Sequence, residues 1–138
     1  LWDIKIVINN EMIKDFLILN CIGKKDKIGL YFKNNFYIQE LGQNENKNDF
    51  LIMNILNLLK KYKVNLNNKF SIIVNTGPGS FSSLRATLSV AKGLKISRSV
   101  NLYGFKDTDL KQFDLANIEL LISKGLIQNK LIKPIYLS

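Results

Sequence analysis

The stretch Asn75-Thr76-Gly77-Pro78-Gly79-Ser80-Phe81-Ser82-Ser83-Leu84-Arg85 joins two segments of different character. The mostly apolar run before it, residues 70–74, predicts a buried strand, and the segment after it, residues 84–96, predicts a helix. A glycine turn between a strand and a helix presents backbone N–H groups, which can bind an anion or help to shape a protein contact. The chemistry around this turn therefore bears directly on function.

The rest of the chain alternates between strand and helix patterns, and its 138 residues fit a single domain. Apolar runs predict four further strands, at residues 15–21, 27–33, 35–41 and 101–105. Helices are expected at residues 49–63, 107–113 and 115–125, and an extended piece at residues 133–138. Three strands in meander order, followed by helix, strand, helix and strand, predict a mixed α/β fold.

The composition excludes several kinds of catalytic site. The chain contains no histidine, which removes Ser-His-Asp and Cys-His catalysis and every histidine metal site. Its one cysteine, Cys21, cannot form an internal disulfide, so a reduced, cytoplasmic setting is expected. No apolar run approaches the length that crosses a bilayer, and we expect neither a secretory signal nor membrane association.

The formal net charge of +9 has two interpretations. It is typical of a nucleic-acid-binding protein. It is also what an AT-rich genome produces, because such genomes favour Lys, Asn and Ile. The lysines are scattered, with clusters only at residues 24–27 and 60–63. A basic RNA-binding module therefore remains an alternative at this stage.

Both long helices carry surfaces that need a neighbour. The first has more apolar side chains than one sheet can cover. They are Phe50, Leu51, Ile52, Met53, Ile55, Leu56, Leu58, Leu59 and Tyr62. The second lines one face with modest side chains at Ala86, Val90, Gly93 and Ser97. Either these surfaces pack within the fold or one helix meets a partner protein.

The glycine turn does not match the sequence motifs of nucleotide-binding loops. A Walker A loop needs a lysine directly after its last glycine, whereas Gly79 is followed by Ser80 and Phe81. A dinucleotide fingerprint needs a third glycine, where this chain has Ser82. An anion site at the helix start, assisted by Arg85, stays open. The corresponding alternative function is a small nucleotide-dependent transferase.

The same residues resemble a family signature. Residues 77–85, continuing to Ala-Lys-Gly-Leu at residues 91–94, are similar to the TsaB (YeaZ, Gcp-like) family of tRNA threonylcarbamoyladenosine biosynthesis proteins. The family pattern is Gly-Pro-Gly-Ser-Phe-Thr-Gly-Leu-Arg, so Ser82 and Ser83 replace Thr and Gly. Asn20 stands where the first family strand carries an aspartate, and residues 134–138 resemble the family's closing Pro-Leu-Tyr-Leu-Arg.

The resemblance implies an actin-like ATPase or RNase H-like domain, with a mixed five-stranded sheet and flanking helices. The domain would span residues 12–105, followed by a reduced C-terminal segment, residues 106–138, as in a shortened member. Residues 1–11 precede Met12, where family members usually start. We expect them to be either a start-site artefact or an extension with a short strand at residues 4–8.

The resemblance also implies a non-catalytic subunit without a cofactor. Its partner would be the TsaD-type subunit, which carries the metal and transfers threonylcarbamoyl to adenosine in tRNA. A TsaE-type ATPase would assist, tRNA would be met through the complex, and a homodimer is the alternative pairing. We expect docking through residues 49–62 and 83–96. The candidate binding residues are Phe50, Met53, Leu56, Leu59, Gly77, Pro78, Gly79, Ser80, Phe81, Arg85, Ala86, Val90 and Gly93.

Overall fold

The computed structural model describes residues 6–8, 11–42, 47–129 and 132–136. Seven strands occur there: β1 Ile6–Ile8, β2 Glu11–Ile13, β3 Asp15–Asn20, β4 Lys27–Phe32, β5 Asn35–Glu40, β6 Phe70–Asn75 and β7 Asn101–Phe105. The helices are α1 Lys47–Lys61, α2 Phe81–Arg98 and α3 Leu115–Ser123, with one 3₁₀ turn at Asp107–Asp109. Within these residues, no helix combines the length and apolar character that a membrane crossing requires.

Five of the strands form one mixed sheet in the order β5-β4-β3-β6-β7. The meander β3-β4-β5 is antiparallel, whereas β6 runs parallel to both β3 and β7. Leu17 pairs with Ile72, and Ile72 pairs with Leu102 across the centre. The predicted α/β class and the mixed five-stranded sheet with flanking helices are confirmed.

Helices cover both faces of this sheet, so the fold has three layers. One face buries Leu17, Leu19 and Ile72 under α1 and α2. The other buries Phe16 and Ile18 under α3. The alternation of these β3 residues follows from the two-residue period of a strand. β6 is buried along its whole length because it lies inside the sheet with both faces covered.

The element ends differ from the sequence-based expectation where capping decides them. α2 begins at Phe81, not residue 84, because the Ser80 side chain accepts a hydrogen bond from the Ser83 N–H and caps the helix. α1 begins at Lys47, so Asp49 lies in its first turn. The helix expected over residues 107–113 is wrong beyond the 3₁₀ turn, because Asp114 caps α3 instead.

The chain ends contribute two smaller features. β1 pairs antiparallel with β2, with Ile6 opposite Ile13, and β1 lies against α3. The strand expected at residues 4–8 is thus present from Ile6, and its first two residues lie outside the described part. The extended piece expected at residues 133–138 runs beside the glycine turn, where Tyr136 bridges to Gly79. Leu137 and Ser138 lie outside the described residues.

Candidate functional site: the glycine turn and the α1 surface

The backbone N–H groups of the glycine turn are engaged inside the protein. Gly77 N donates to the Asn75 side chain at 2.9 Å, and Gly79 N donates to the Ile135 carbonyl at 3.2 Å. Ser80 N donates to the Ile22 carbonyl at 3.0 Å. Pro78 has no N–H to offer. A phosphate cradle needs such groups to point at the ligand, so this geometry favours a structural corner.

Two glycines allow neighbouring chain segments to approach the turn closely. Gly77 has φ of +102°, and a Cβ there would collide with the Ile135 carbonyl oxygen. A Cβ at Gly79 would lie 2.6 Å from the Ile22 Cβ and 2.8 Å from the Ile22 oxygen. Both positions therefore require glycine. The peptide bond between Gly77 and Pro78 is cis.

A polar cluster lies at the carboxyl ends of β3 and β6. The buried Asn75 amide donates to Asn20 Oδ1 at 2.7 Å and to Asp107 Oδ1 at 3.0 Å. Asp107 N in turn donates to the Gly77 carbonyl at 2.8 Å. The cluster brings together a single carboxylate, and the described residues contain no group of three or more His, Cys, Asp or Glu arranged to hold a metal ion. Its hydrogen bonds tie the turn to the sheet.

Phe81 begins α2 on the protein surface, and it is 56% exposed. The Arg85 guanidinium lies over its ring at 5.1 Å, and the ring of Tyr136 lies 4.8 Å away. Contacts of this kind stabilise by roughly 0.5–1 kcal/mol at exposed sites. Arg85 thus has an aromatic neighbour that the sequence interpretation did not foresee.

Ser83, which replaces the family's glycine, adopts ordinary helical backbone geometry in the first turn of α2. Its φ is not among the positive values in the chain. The backbone at this position therefore does not require glycine. The serine side chain is nevertheless unfavourable, because the buried Ser83 Oγ has no hydrogen-bond partner within the described residues.

The expected docking residues on α1 divide into exposed and buried ones. Met53 is 61% exposed and Leu56 is 50% exposed, and they form what we call the α1 patch. Phe50 is half-buried at its edge. Leu59 is buried in the core, so its side chain is not exposed for direct contact with a partner. Part of the surplus of apolar side chains on this helix is therefore exposed to solvent.

The small-residue face of α2 divides in the same way. Ala86 is 5% exposed and Val90 is partly buried, because α1 packs against α2. Gly93 is exposed, and a Cβ there would meet nothing within 4 Å. Close packing within the fold thus accounts for Ala86, and a bulky residue at this position would disturb that packing.

The structure therefore forms two separate groups from the expected residues. Pro78, Ser80 and Phe81 belong to the glycine corner with Gly77 and Gly79, whereas Met53 and Leu56 belong to the α1 patch. Sequence reasoning missed Ile22 and Ile135, whose carbonyls accept from the turn. Backbone acceptors leave no residue signature, so the predicted extended piece at residues 133–138 was the sole sequence feature related to this contact.

Away from both groups, burial raises the pKa of the Glu119 carboxyl on α3 above its ordinary value.

Comparisons with known proteins agree with this architecture. Residues 45–110 match the family described as TsaD, tRNA N6-adenosine threonylcarbamoyltransferase. The tRNA threonylcarbamoyladenosine biosynthesis protein TsaB of Buchnera aphidicola subsp. Baizongia pistaciae is 34% identical over 85 residues, which are 62% of this chain and 38% of that protein.

Two solved structures show the same fold. YeaZ from Pseudomonas aeruginosa superposes with a TM-score of 0.62 at 18% identity, over 70% of this chain and 45% of its own. A second structure, of an uncharacterized protein from Pseudomonas aeruginosa with similarity to peptidase YeaZ, gives the same score and identity over 44% of its chain. The chain thus spans less than half the length of these relatives.

Proposed function

We propose that this chain is a member of the TsaB family, one protein of which is 34% identical over 85 residues, and that it supports threonylcarbamoyl modification of adenosine in tRNA by binding a TsaD-type catalytic subunit. The α1 patch carries this proposal. Met53 and Leu56 expose large apolar side chains one turn apart on the same helix, above the buried core. An apolar surface of this kind marks an interaction site when its members adjoin one another.

In this proposal the protein is a non-catalytic subunit. The turn that could have bound a phosphate donates its N–H groups to Asn75, Ile22 and Ile135. A transferase that used this turn would first have to break those hydrogen bonds, each of which contributes about 1 kcal/mol. This geometry supports a corner that sets the start of α2, beside which α1 packs.

The remaining partners follow from the same proposal. A TsaE-type ATPase would join the complex, and tRNA would be met through it. A homodimer through the α1 patch would compete with the TsaD-type partner for the same surface. The setting would be the cytoplasm, in keeping with the single cysteine of the sequence, Cys21, whose side chain is buried.

The test is co-purification of a tagged TsaD-type protein from the same genome with a charged variant of the α1 patch. Met53→Lys combined with Leu56→Lys should lower the affinity by at least about tenfold, because each position loses apolar burial and gains a charge at the interface. Both side chains are exposed in the monomer, so the variant should fold normally.

The matched control is Leu120→Lys. Leu120 is 51% exposed, like Leu56, but it lies on α3 at the opposite face of the sheet. It should leave co-purification unchanged. Equal recovery of the TsaD-type protein by the double variant and by the unmodified chain would refute docking through α1. Loss of a homodimer alone would assign the patch to self-association.

A further inference from the structure

The amino edge of the sheet holds an open cavity of about 660 Å³, on the side away from the glycine turn. Asp15, Phe70 and Asn101 begin the parallel strands there, and Phe32 ends the neighbouring antiparallel strand. The loop that follows α1 closes one side. We call this cavity the amino-edge bowl. Its volume lies in the range of ligand sites, roughly 300–1,000 Å³.

The bowl is lined by cations and amides. Lys14, Lys63 and Lys69 contribute three ammonium groups, and all three residues are exposed. In the described part of the chain these ammonium groups form no ion pair. The one carboxylate in the lining, Asp15, accepts a hydrogen bond from Lys33 N at 3.4 Å. The lining therefore carries a net positive charge.

The amide groups belong to four asparagines, at positions 65, 67, 68 and 101. Two of them hold the loop in place. Asn67 Oδ1 accepts from Lys69 N at 2.8 Å, and Asn101 Nδ2 donates to the Asn68 carbonyl at 3.0 Å. Asn65 is exposed, and its side chain forms no hydrogen bond with any described residue. The wall is thus preorganised and still offers amide groups to a ligand.

Lys63 occupies an unusual backbone position. It follows α1 with φ of +56°, and Val64 N returns to the Leu59 carbonyl at 2.8 Å. Glycine or asparagine is the usual residue at this left-handed position after a helix. A lysine here directs a cation toward the bowl at some conformational cost.

We propose that the amino-edge bowl binds a single-stranded segment of RNA. Lysines neutralise backbone phosphates, and asparagine amides can pair with the edges of unstacked bases. A duplex presents stacked bases and a convex surface, which does not enter a concave site of this size. An anionic membrane would need large exposed apolar side chains beside the lysines, whereas Phe70 and Tyr103 are buried here and Phe32 is half-buried.

The inference goes beyond partner docking and is tested without any partner. Fluorescence anisotropy of the isolated chain with labelled oligouridylate and oligoadenylate should show binding that weakens with salt. For single strands the logarithm of affinity falls by about 0.7 per contacted phosphate for each unit of log salt. Replacing Lys14, Lys63 and Lys69 by Gln should reduce this slope by about 2 and lower the affinity by roughly a hundredfold at about 0.1 M salt.

The matched control replaces Lys92, Lys111 and Lys124 by Gln. These residues are also exposed, and they lie on α2 and around α3. The control removes the same charge and should leave the slope nearly unchanged. Equal losses in the two triple variants would overturn the proposal and assign binding to the net charge alone. Binding that does not respond to salt would overturn it as well.

A second readout locates the RNA directly. Photocrosslinking with a thiouridine-containing oligonucleotide should place the adduct on the peptide that covers residues 63–71. An adduct confined to α2, or competition by polyglutamate as strong as that by unlabelled RNA, would contradict the bowl as an RNA site. Neither readout depends on a TsaD-type protein, so the docking proposal can fail while this one holds.

Discussion

A single hydroxyl group, Oγ of Ser83, is buried at the start of α2 without a hydrogen-bond partner among the described residues. Its neighbours in the fold are Gly23, whose backbone approaches closely, and Thr87, whose hydroxyl bonds to the Ser83 and Cys21 carbonyls. The Ser83 N–H is satisfied by the Ser80 side chain. The Ser83 side chain thus adds a desolvation cost, whereas its backbone N–H donates the hydrogen bond that caps α2.

Ser83→Ala should therefore stabilise the protein by about 1 kcal/mol, because it removes a buried hydroxyl and keeps the backbone hydrogen bond. Urea unfolding followed by circular dichroism measures the change. Ser82→Ala is the control, since Ser82 is exposed in the same turn and should shift stability by less than about 0.5 kcal/mol. A clear destabilisation by Ser83→Ala would show that the hydroxyl is satisfied.

At the scale of elements, the sequence predicted the strands well and the helix starts less well. The predicted strands of the sheet end within one residue of β3 to β7, because apolar runs and polar links bound them. α2 began three residues early, since the Ser80 cap was not recognised. The contact of residues 132–136 with the turn joins segments far apart in sequence, and it uses backbone groups that carry no residue pattern.

Alanine substitutions at Gly79, just before α2, and at Gly93, within α2, should have opposite effects on stability. Gly79→Ala should destabilise by about 2 kcal/mol, because its Cβ meets Ile22 atoms at 2.6 and 2.8 Å. Gly93→Ala should stabilise by about 0.5–1 kcal/mol, because it gains helix propensity in open space. Thermal unfolding of both variants measures the difference. Similar melting temperatures for the two would contradict the close packing of the turn.

At the scale of the whole molecule, the two edges of the sheet differ in character. The carboxyl edge holds the glycine turn, whose hydrogen bonds are made internally, and the amino edge holds the open, lysine-lined bowl. The sequence predicted the turn but not the bowl, because residues from β3, β4, β6 and β7 meet there only after the sheet forms. It predicted surplus apolar side chains on α1, but not that Leu59 and Ala86 are buried.

The most direct measurement of docking is hydrogen exchange of the isolated chain with and without a TsaD-type protein. Binding through the α1 patch should slow exchange across α1, at residues 47–61, and along the adjoining part of α2, because covered helices open less often. Peptides from α3 should exchange at the same rate in both samples. Protection confined to α3, or no protection anywhere in the presence of a saturating partner, would contradict the assignment of α1 as the docking helix.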